Sequence, residues 1–336
     1  MRGKLAIVIL NYNTVHLLPN YLPSVIEYSP DCEIVFADNG SSDGSAEYVR
    51  EHFPEIRVLQ LDTNYGFTGG YNRALQKVEA DYYCLLNSDV EVSPNWTKRP
   101  LELLMENPNC AACQPKMLSY CDKSRFEYAG AAGGYIDYLG YPFCAGRLFD
   151  NLEEDKAQYE EEREVFWASG AALFIKADLY RRFGGLDERF FAHMEEIDLC
   201  WRLKNAGYTI YYTPQSQVYH LGGGTLNKTS ARKTYLNFRN NLLLLYKNLP
   251  DKDVIGIIFK RKLLDFVAAA VFLLQGKPKE LQAVWKAHRD FENMKQFYQR
   301  EKTIEHYPDC VYRKSIVAAS KLLGKKYFTQ LDFKIK

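Results

Sequence analysis

The 336-residue sequence has no G-x-G-x-x-G segment after any of its apolar runs, which removes the dinucleotide fingerprint and with it the direct route to an oxidoreductase. It has no surplus of charge of either sign. Lys and Arg number 43 against 42 Asp and Glu, no basic stripe is visible, and nucleic acid is therefore not an expected partner. It has no apolar run of bilayer length: the uninterrupted segment Phe266–Leu274 has nine residues, against about 20 for a spanning helix. It has no complete cysteine set for zinc, because Cys110 and Cys113, with two residues between them, lack partners among the eight scattered cysteines. The opening MRGKLAIVILNYN enters a strand at once and shows no small-residue cleavage site. The expectation is a reducing, cytoplasmic location, with peripheral contact to the inner face of the cell membrane left open.

What is present is enough for one large α/β domain, or one domain with an appendage: 47% hydrophobic and 25% charged residues. Aromatics are numerous, with 25 Tyr and 19 Phe; such rings can stack on sugars, but core packing accounts for most of them. Over the first hundred residues, short apolar runs alternate with helical segments. Leu5–Leu10, Glu33–Ala37, Ile56–Leu61 and Tyr82–Leu86 read as strands, with helices over Val15–Tyr28, AEYVREHF and Tyr71–Val78. This βαβα order calls for a Rossmann-like, mostly parallel sheet with flanking helices. Ligands of such sheets bind beyond the carboxyl ends of the strands. Those ends are Asn11-Tyr12-Asn13, Asp38-Asn39, Asp62-Thr63-Asn64 and Asn87-Ser88-Asp89, all polar and three of them carrying a carboxylate.

Residues 114–150, rich in Gly and Tyr, read as loops and short antiparallel strands. The charged stretch 153–164 reads as solvent-facing, with no chemistry. A helix is expected over Glu195–Asn205, ended by Gly207, then strands TIYYT and SQVYH and a long helix Ser230–Tyr246. His193, Glu195, Glu196 and Asp198 crowd one helix start, which is costly unless solvent, metal or substrate compensates.

Five segments, IVILNYNT, NYGFTGGYNRAL, LLNSDV, WASGAALFI and EEIDLCWR, resemble glycosyltransferase family 2, in its rhamnosyltransferase-like branch, over roughly Leu5 to His220. The resemblance implies the GT-A fold with a helical C-terminal tail. It implies an inverting, metal-assisted transfer of sugar from a UDP- or dTDP-activated donor, dTDP-rhamnose among the candidates, to a glycan or lipid-linked saccharide hydroxyl. Asn11 and Asn13 then fall at the nucleotide, and Asp38 at the N3–H of a uracil or thymine. Asn64, Gly66, Asn72 and Arg73 fall along the donor, and Asn87 opens the short metal motif that ends in Asp89. Asp89, with His220, would hold Mg²⁺ or Mn²⁺. Trp167 and Gly170 fall beside the donor sugar and acceptor. Glu196 occupies the place of the general base, where the family carries Asp, with Glu195 as the second choice. Asp198 and Arg202, four apart, are expected to pair on the helix face. The loop Leu221–Thr225 reads as room for a ligand or a lid. The implied division is a catalytic domain over 1–248, with a nucleotide-sugar half (1–113) and an acceptor half (114–248). A helical extension over 249–336 would then contact a membrane surface or a second subunit. Two other readings stay open: a binding-only relative, and a nucleotidyltransferase, which lacks its usual cationic pyrophosphate loop after the first strand.

Overall fold

The computed structural model describes residues 3–222, 230–300 and 307–333. Four parallel strands form its first half: β1 (Leu5–Asn11), β2 (Glu33–Asp38), β3 (Arg57–Gln60) and β4 (Tyr82–Asn87). They are joined by α1 (Leu18–Glu27), α2 (Ser45–His52) and α3 (Gly66–Leu75). β1 and β4 are covered on both faces, which is why their sequences are almost continuously apolar. The register sets Asn11 beside Asp38 and Leu10 beside Asn87, so three polar strand ends meet at one sheet edge.

The chain continues through β5 (Val90–Val92), α4 (Lys98–Glu106) and β6 (Cys110–Ser119). A second sheet follows with β7 (Gly134–Asp137), β8 (Pro142–Cys144), β9 (Arg147–Leu148) and β10 (Asn151–Leu152). β11 (Arg163–Val165), β12 (Ala172–Lys176), α5 (Ala177–Arg182), α6 (Glu195–Asn205) and β13 (Thr209–His220) complete the main sheet, whose order is β11-β13-β6-β12-β4-β1-β2-β3, with β5 paired to β13. The two strands expected at TIYYT and SQVYH are one strand, because both pair with β6. The pairing shifts register between Thr213 and Gln217, where Pro214 has no N–H to give the ladder. All eight cysteines are free thiols, and Cys121 alone among them is exposed.

The last quarter is α7 (Ala231–Asn248), α8 (Asp251–Leu274), α9 (Pro278–Met294), strand β14 (Val311–Tyr312) and α10 (Ile316–Lys321). It begins as the expected helical tail, but β14 then pairs with β7 and closes the edge of the second sheet. The stretch 153–164 is likewise tied in: Glu153 is buried and accepts from the Tyr159 hydroxyl (3.0 Å) and the Phe328 amide (2.9 Å), and Lys116 pairs with Asp155 at 2.8 Å.

Candidate active site

At the carboxyl edge of the parallel strands, Asp38 is wholly buried and accepts from Asn11 Nδ2 (3.2 Å) and the Ser41 amide (3.1 Å). A carboxylate has about four acceptor positions, so Asp38 keeps capacity for a further donor. Asn13 adopts a left-handed φ of 53° and accepts from the Ser42 amide at 2.8 Å, while its own amide donates to Ser41 Oγ. Asn39, which sequence reasoning passed over, is buried and donates to Asn64 Oδ1 (3.1 Å) and the Gly66 carbonyl (2.9 Å).

The glycine-rich segment, expected as a loop, is already helix from Gly66. The Phe191 carbonyl caps that helix by accepting from the amides of Phe67 (2.8 Å) and Thr68 (3.3 Å). Gly66 has φ +71°, and a Cβ there would meet the Phe191 ring at 2.6 Å. The glycine thus lets the turn before α6 approach the start of α3. Asn72 is taken up inside the fold: its Oδ1 accepts from Tyr180 Oη (2.7 Å) and the Leu186 amide, and its Nδ2 donates to the Leu186 carbonyl (2.7 Å). Arg73 pairs with Glu188 at 2.9 Å and stacks 3.7 Å over the Tyr65 ring.

The end of β4 and the end of β13 meet. His220 Nε2 lies 3.1 Å from Asp89 Oδ1 and 3.4 Å from Asn87 Nδ2. On the other side of the ring, Nδ1 lies 3.3 Å from Glu127 Oε1. All of Asp89, His220 and Glu127 are buried. Burial disfavours the imidazolium, but the two flanking carboxylates outweigh it and raise the histidine to about 10. Glu127 was not found from sequence, since nothing in its local pattern links it to position 220. One carboxylate oxygen and one imidazole nitrogen on a single edge suit a divalent ion that displaces the Nε2 proton and takes its other ligands from phosphate and water. Among the described residues no group of three or more His, Cys, Asp or Glu forms a self-contained metal cage. Arg147, on β9, is a further buried cation; it lies 4.1 Å from the Tyr128 ring centroid, and the Glu127 charge reaches it.

The acidic cluster sits at the start of α6. Glu195 is buried, and burial followed by the charge of Glu196 raises its carboxyl well above the ordinary range. Burial pushes Glu196 up from 4.5 to about 7, against the pull of the helix-start amides. One oxygen of each has no hydrogen-bond partner among the described residues. Burial lowers His193 to about 4, so its imidazole is neutral at physiological pH. Asp198 faces the other way: it pairs with Arg202 (2.8 Å), as the spacing predicts, and also with Lys247 (2.9 Å) and Asn248 (2.9 Å). These partners keep it ionised despite burial.

The turn before α6 is strained, with Phe191, His193 and Met194 at φ 66°, 71° and 73°. It is held from α7: Asn240 Nδ2 donates to the carbonyls of Phe190 (3.0 Å), Ala192 (2.8 Å) and His193 (2.8 Å), and Arg239 to those of Arg189 and Phe190. Gly170 reaches this wall, with its Cβ position 3.8 Å from Glu196 Cβ and 3.2 Å from Phe67. Trp167 does not stand open to a sugar. It is 4% exposed, its ring lies on Gly134, where a Cβ would come within 2.1 Å, and its indole N–H donates to the Tyr135 carbonyl. Of the loop Leu221–Thr225, residues 223–225 lie outside the described residues.

Residues 6–165 match the family model described as glycosyl transferase family 2. Among curated proteins, the chain is 27% identical over 236 residues to the N-acetylglucosaminyl-diphospho-decaprenol L-rhamnosyltransferase of Mycobacterium tuberculosis, covering 66% of this chain and 76% of that one. It is 23% identical over 296 residues to a low-salt glycan biosynthesis hexosyltransferase of Haloferax volcanii, covering 81% and 90%. Among solved structures, a mannosyltransferase from Pyrobaculum calidifontis in complex with GDP-Man and Mn²⁺ aligns with TM-score 0.51 at 13% identity, over 90% of this chain and 89% of that one. GalNAc-T7 with UDP, GalNAc and Mn²⁺ aligns with TM-score 0.57 at 15% identity, over 91% of this chain and 58% of that one.

Proposed function

From the premise that this chain has the fold of a family 2 glycosyltransferase, we propose that it transfers a sugar from a UDP- or dTDP-activated donor to a saccharide hydroxyl, with inversion at the anomeric carbon. The observation that carries the reading is the meeting of Asp89 and His220 on the sheet edge that also holds Asp38, together with the raised carboxyl of Glu196 beside Gly170 at the start of α6. In this reading Asp38 accepts from the pyrimidine N3–H, and Asp89 and His220, its Nε2 proton given up, would hold Mg²⁺ or Mn²⁺ for the diphosphate. That ion, when bound, supplies positive charge to the departing nucleoside diphosphate. Glu196 takes the proton of the acceptor hydroxyl as its oxygen bonds to the anomeric carbon. The bond from that carbon to the diphosphate breaks on the opposite face, so no covalent enzyme intermediate forms. The first relative, an L-rhamnosyltransferase named for a diphospho-decaprenol saccharide, supports a rhamnosyl donor and a lipid-linked acceptor.

The test is a panel of nucleotide sugars, with Mn²⁺, Mg²⁺ or chelator, read as released nucleoside diphosphate. The expected result is metal-dependent release of UDP or dTDP from one donor, lost in Asp89→Ala. Pyrophosphate as the product would replace this reading with a nucleotidyltransferase. Donor binding without turnover on any acceptor pool would replace it with a binding protein.

A further inference from the structure

The helix α8 has two faces of opposite fate. Val254, Ile257, Arg261, Asp265 and Ala269 recur at helical spacing and are buried. Their orientation is fixed by polar contacts. Arg261 pairs with Asp265 at 2.9 Å, donates to the Leu139 carbonyl and to Asn241 Oδ1, and lies over the Tyr141 ring. Asp265 in turn meets His288 of α9 at 3.1 Å. The opposite face is therefore held outward, and it is apolar. Ile255, Phe259, Leu263, Val267, Val271 and Leu274 follow one another at steps of three or four, and their exposure runs from 43% to 88%. At about 1.5 Å per residue the 24-residue helix presents a stripe about 36 Å long. Trp285 of α9, 63% exposed, extends it beside Phe266, with ring centroids 6.2 Å apart.

The exposed charges on this arc of α8 are lysines. Lys252 and Lys260 are exposed there, while Lys286 and Arg289, which flank Trp285, both pair with Asp290 of α9. The acids of α8 lie elsewhere: Asp251 pairs with Arg300, Asp265 is buried, and Asp253 is half-buried in the first turn. Residues 251–300 carry ten Lys and Arg against six Asp and Glu, in a chain whose net charge is +1. A second copy docked here about a twofold axis would set Lys252 and Lys260 against lysines, with Asp290 already engaged by Lys286 and Arg289. An anionic bilayer answers both features, because its acyl boundary takes the apolar stripe and its headgroups take the lysines. No helix among the described residues is long and apolar enough to cross a membrane, so the contact lies in the plane of the surface.

We propose that the outward face of α8, with Trp285, docks this protein on the surface of an anionic lipid bilayer. The inference does not depend on the donor or the acceptor. It is tested by co-sedimentation with phosphatidylcholine vesicles made with and without phosphatidylglycerol, at low and high salt. The wild-type chain is expected to partition onto the anionic vesicles and to be released in part by salt. The double variant F259E/L263E should partition at least tenfold less, and K252E/K260E several-fold less. Both variants should keep the wild-type thermal melt and the wild-type release of nucleoside diphosphate, since none of the four side chains belongs to the site. Absence of vesicle binding would overturn the proposal, as would equal binding to neutral vesicles. A concentration-dependent dimer in light scattering that F259E/L263E converts to monomer would overturn it too, and would assign the face to a second copy.

Discussion

Glu196, the base in the proposed reaction, owes its raised carboxyl to its surroundings. Burial lifts it to about 7, where a carboxylate is a stronger proton acceptor than at its ordinary 4.5. Only the ionised form can take the acceptor proton, so turnover should fall about tenfold per unit below pH 7 and level off above it. Glu196→Gln should lose about 10²–10⁴-fold and flatten that limb. The same shift has a cost in stability with a definite sign. A raised acid favours the folded state below 4.5 and loses that contribution as pH climbs through 7. Glu196→Gln should therefore melt higher than wild type at pH 8, with the gap closing towards pH 4.5. Glu127 acts through another residue. Placed 3.3 Å from His220 Nδ1, it orients the ring whose Nε2 faces Asp89. Glu127→Ala should weaken Mn²⁺ binding about 10–100-fold by calorimetry, with the fold unchanged by circular dichroism. The acids at strand ends and at the start of α6 were legible because each ends a local pattern. Glu127 was not, because 93 residues of chain separate it from the histidine it touches.

At the scale of elements, α7 is the hidden part of the site. It contributes no motif, yet Asn240 alone answers three carbonyls of the strained turn that leads into the glutamates. Asn240→Ala takes that donor from the Ala192 and His193 carbonyls, while Phe190 keeps Arg239, at about 1–3 kcal/mol for each group left unsatisfied. The expected outcome is a lower kcat with little change in donor affinity, read by steady-state kinetics beside a donor titration, because Asp38 and Asp89 lie on other elements. The parallel strands could be read from sequence because apolar runs buried on both faces are their local signature. The start of α3 could not, since the carbonyl that caps it belongs to Phe191, far along the chain. Neither could the single bent strand β13, whose two apolar halves are joined only through their common partner β6. Trp167 was ambiguous for a similar reason: a buried indole and a sugar platform look alike until Gly134 is found beneath the ring.

The whole molecule is closed by its end. The sequence suggests a boundary near 248, and composition does change there, but the chain returns. Phe328 and Phe333 each lie 5.2 Å, centroid to centroid, from Tyr135, and the amide of Ile316 donates to the buried Asp137 at 2.9 Å. Such long-range closure leaves no periodic trace. A chain ended at Asn248 is expected to be insoluble or to lose its cooperative melt, because the edge of β7 and this aromatic cluster would be bared. Phe328→Ala should cost about 3–5 kcal/mol in denaturant unfolding. The distribution of thiols then has a practical reach. Five of the eight cysteines are buried and two half-buried, leaving Cys121 in the open, next to Tyr120, whose amide donates to the His220 carbonyl at 3.0 Å. A maleimide dye added to the native protein would therefore select one address, on the rim of the candidate site. Ligand arrival could be followed by fluorescence without engineering a single position.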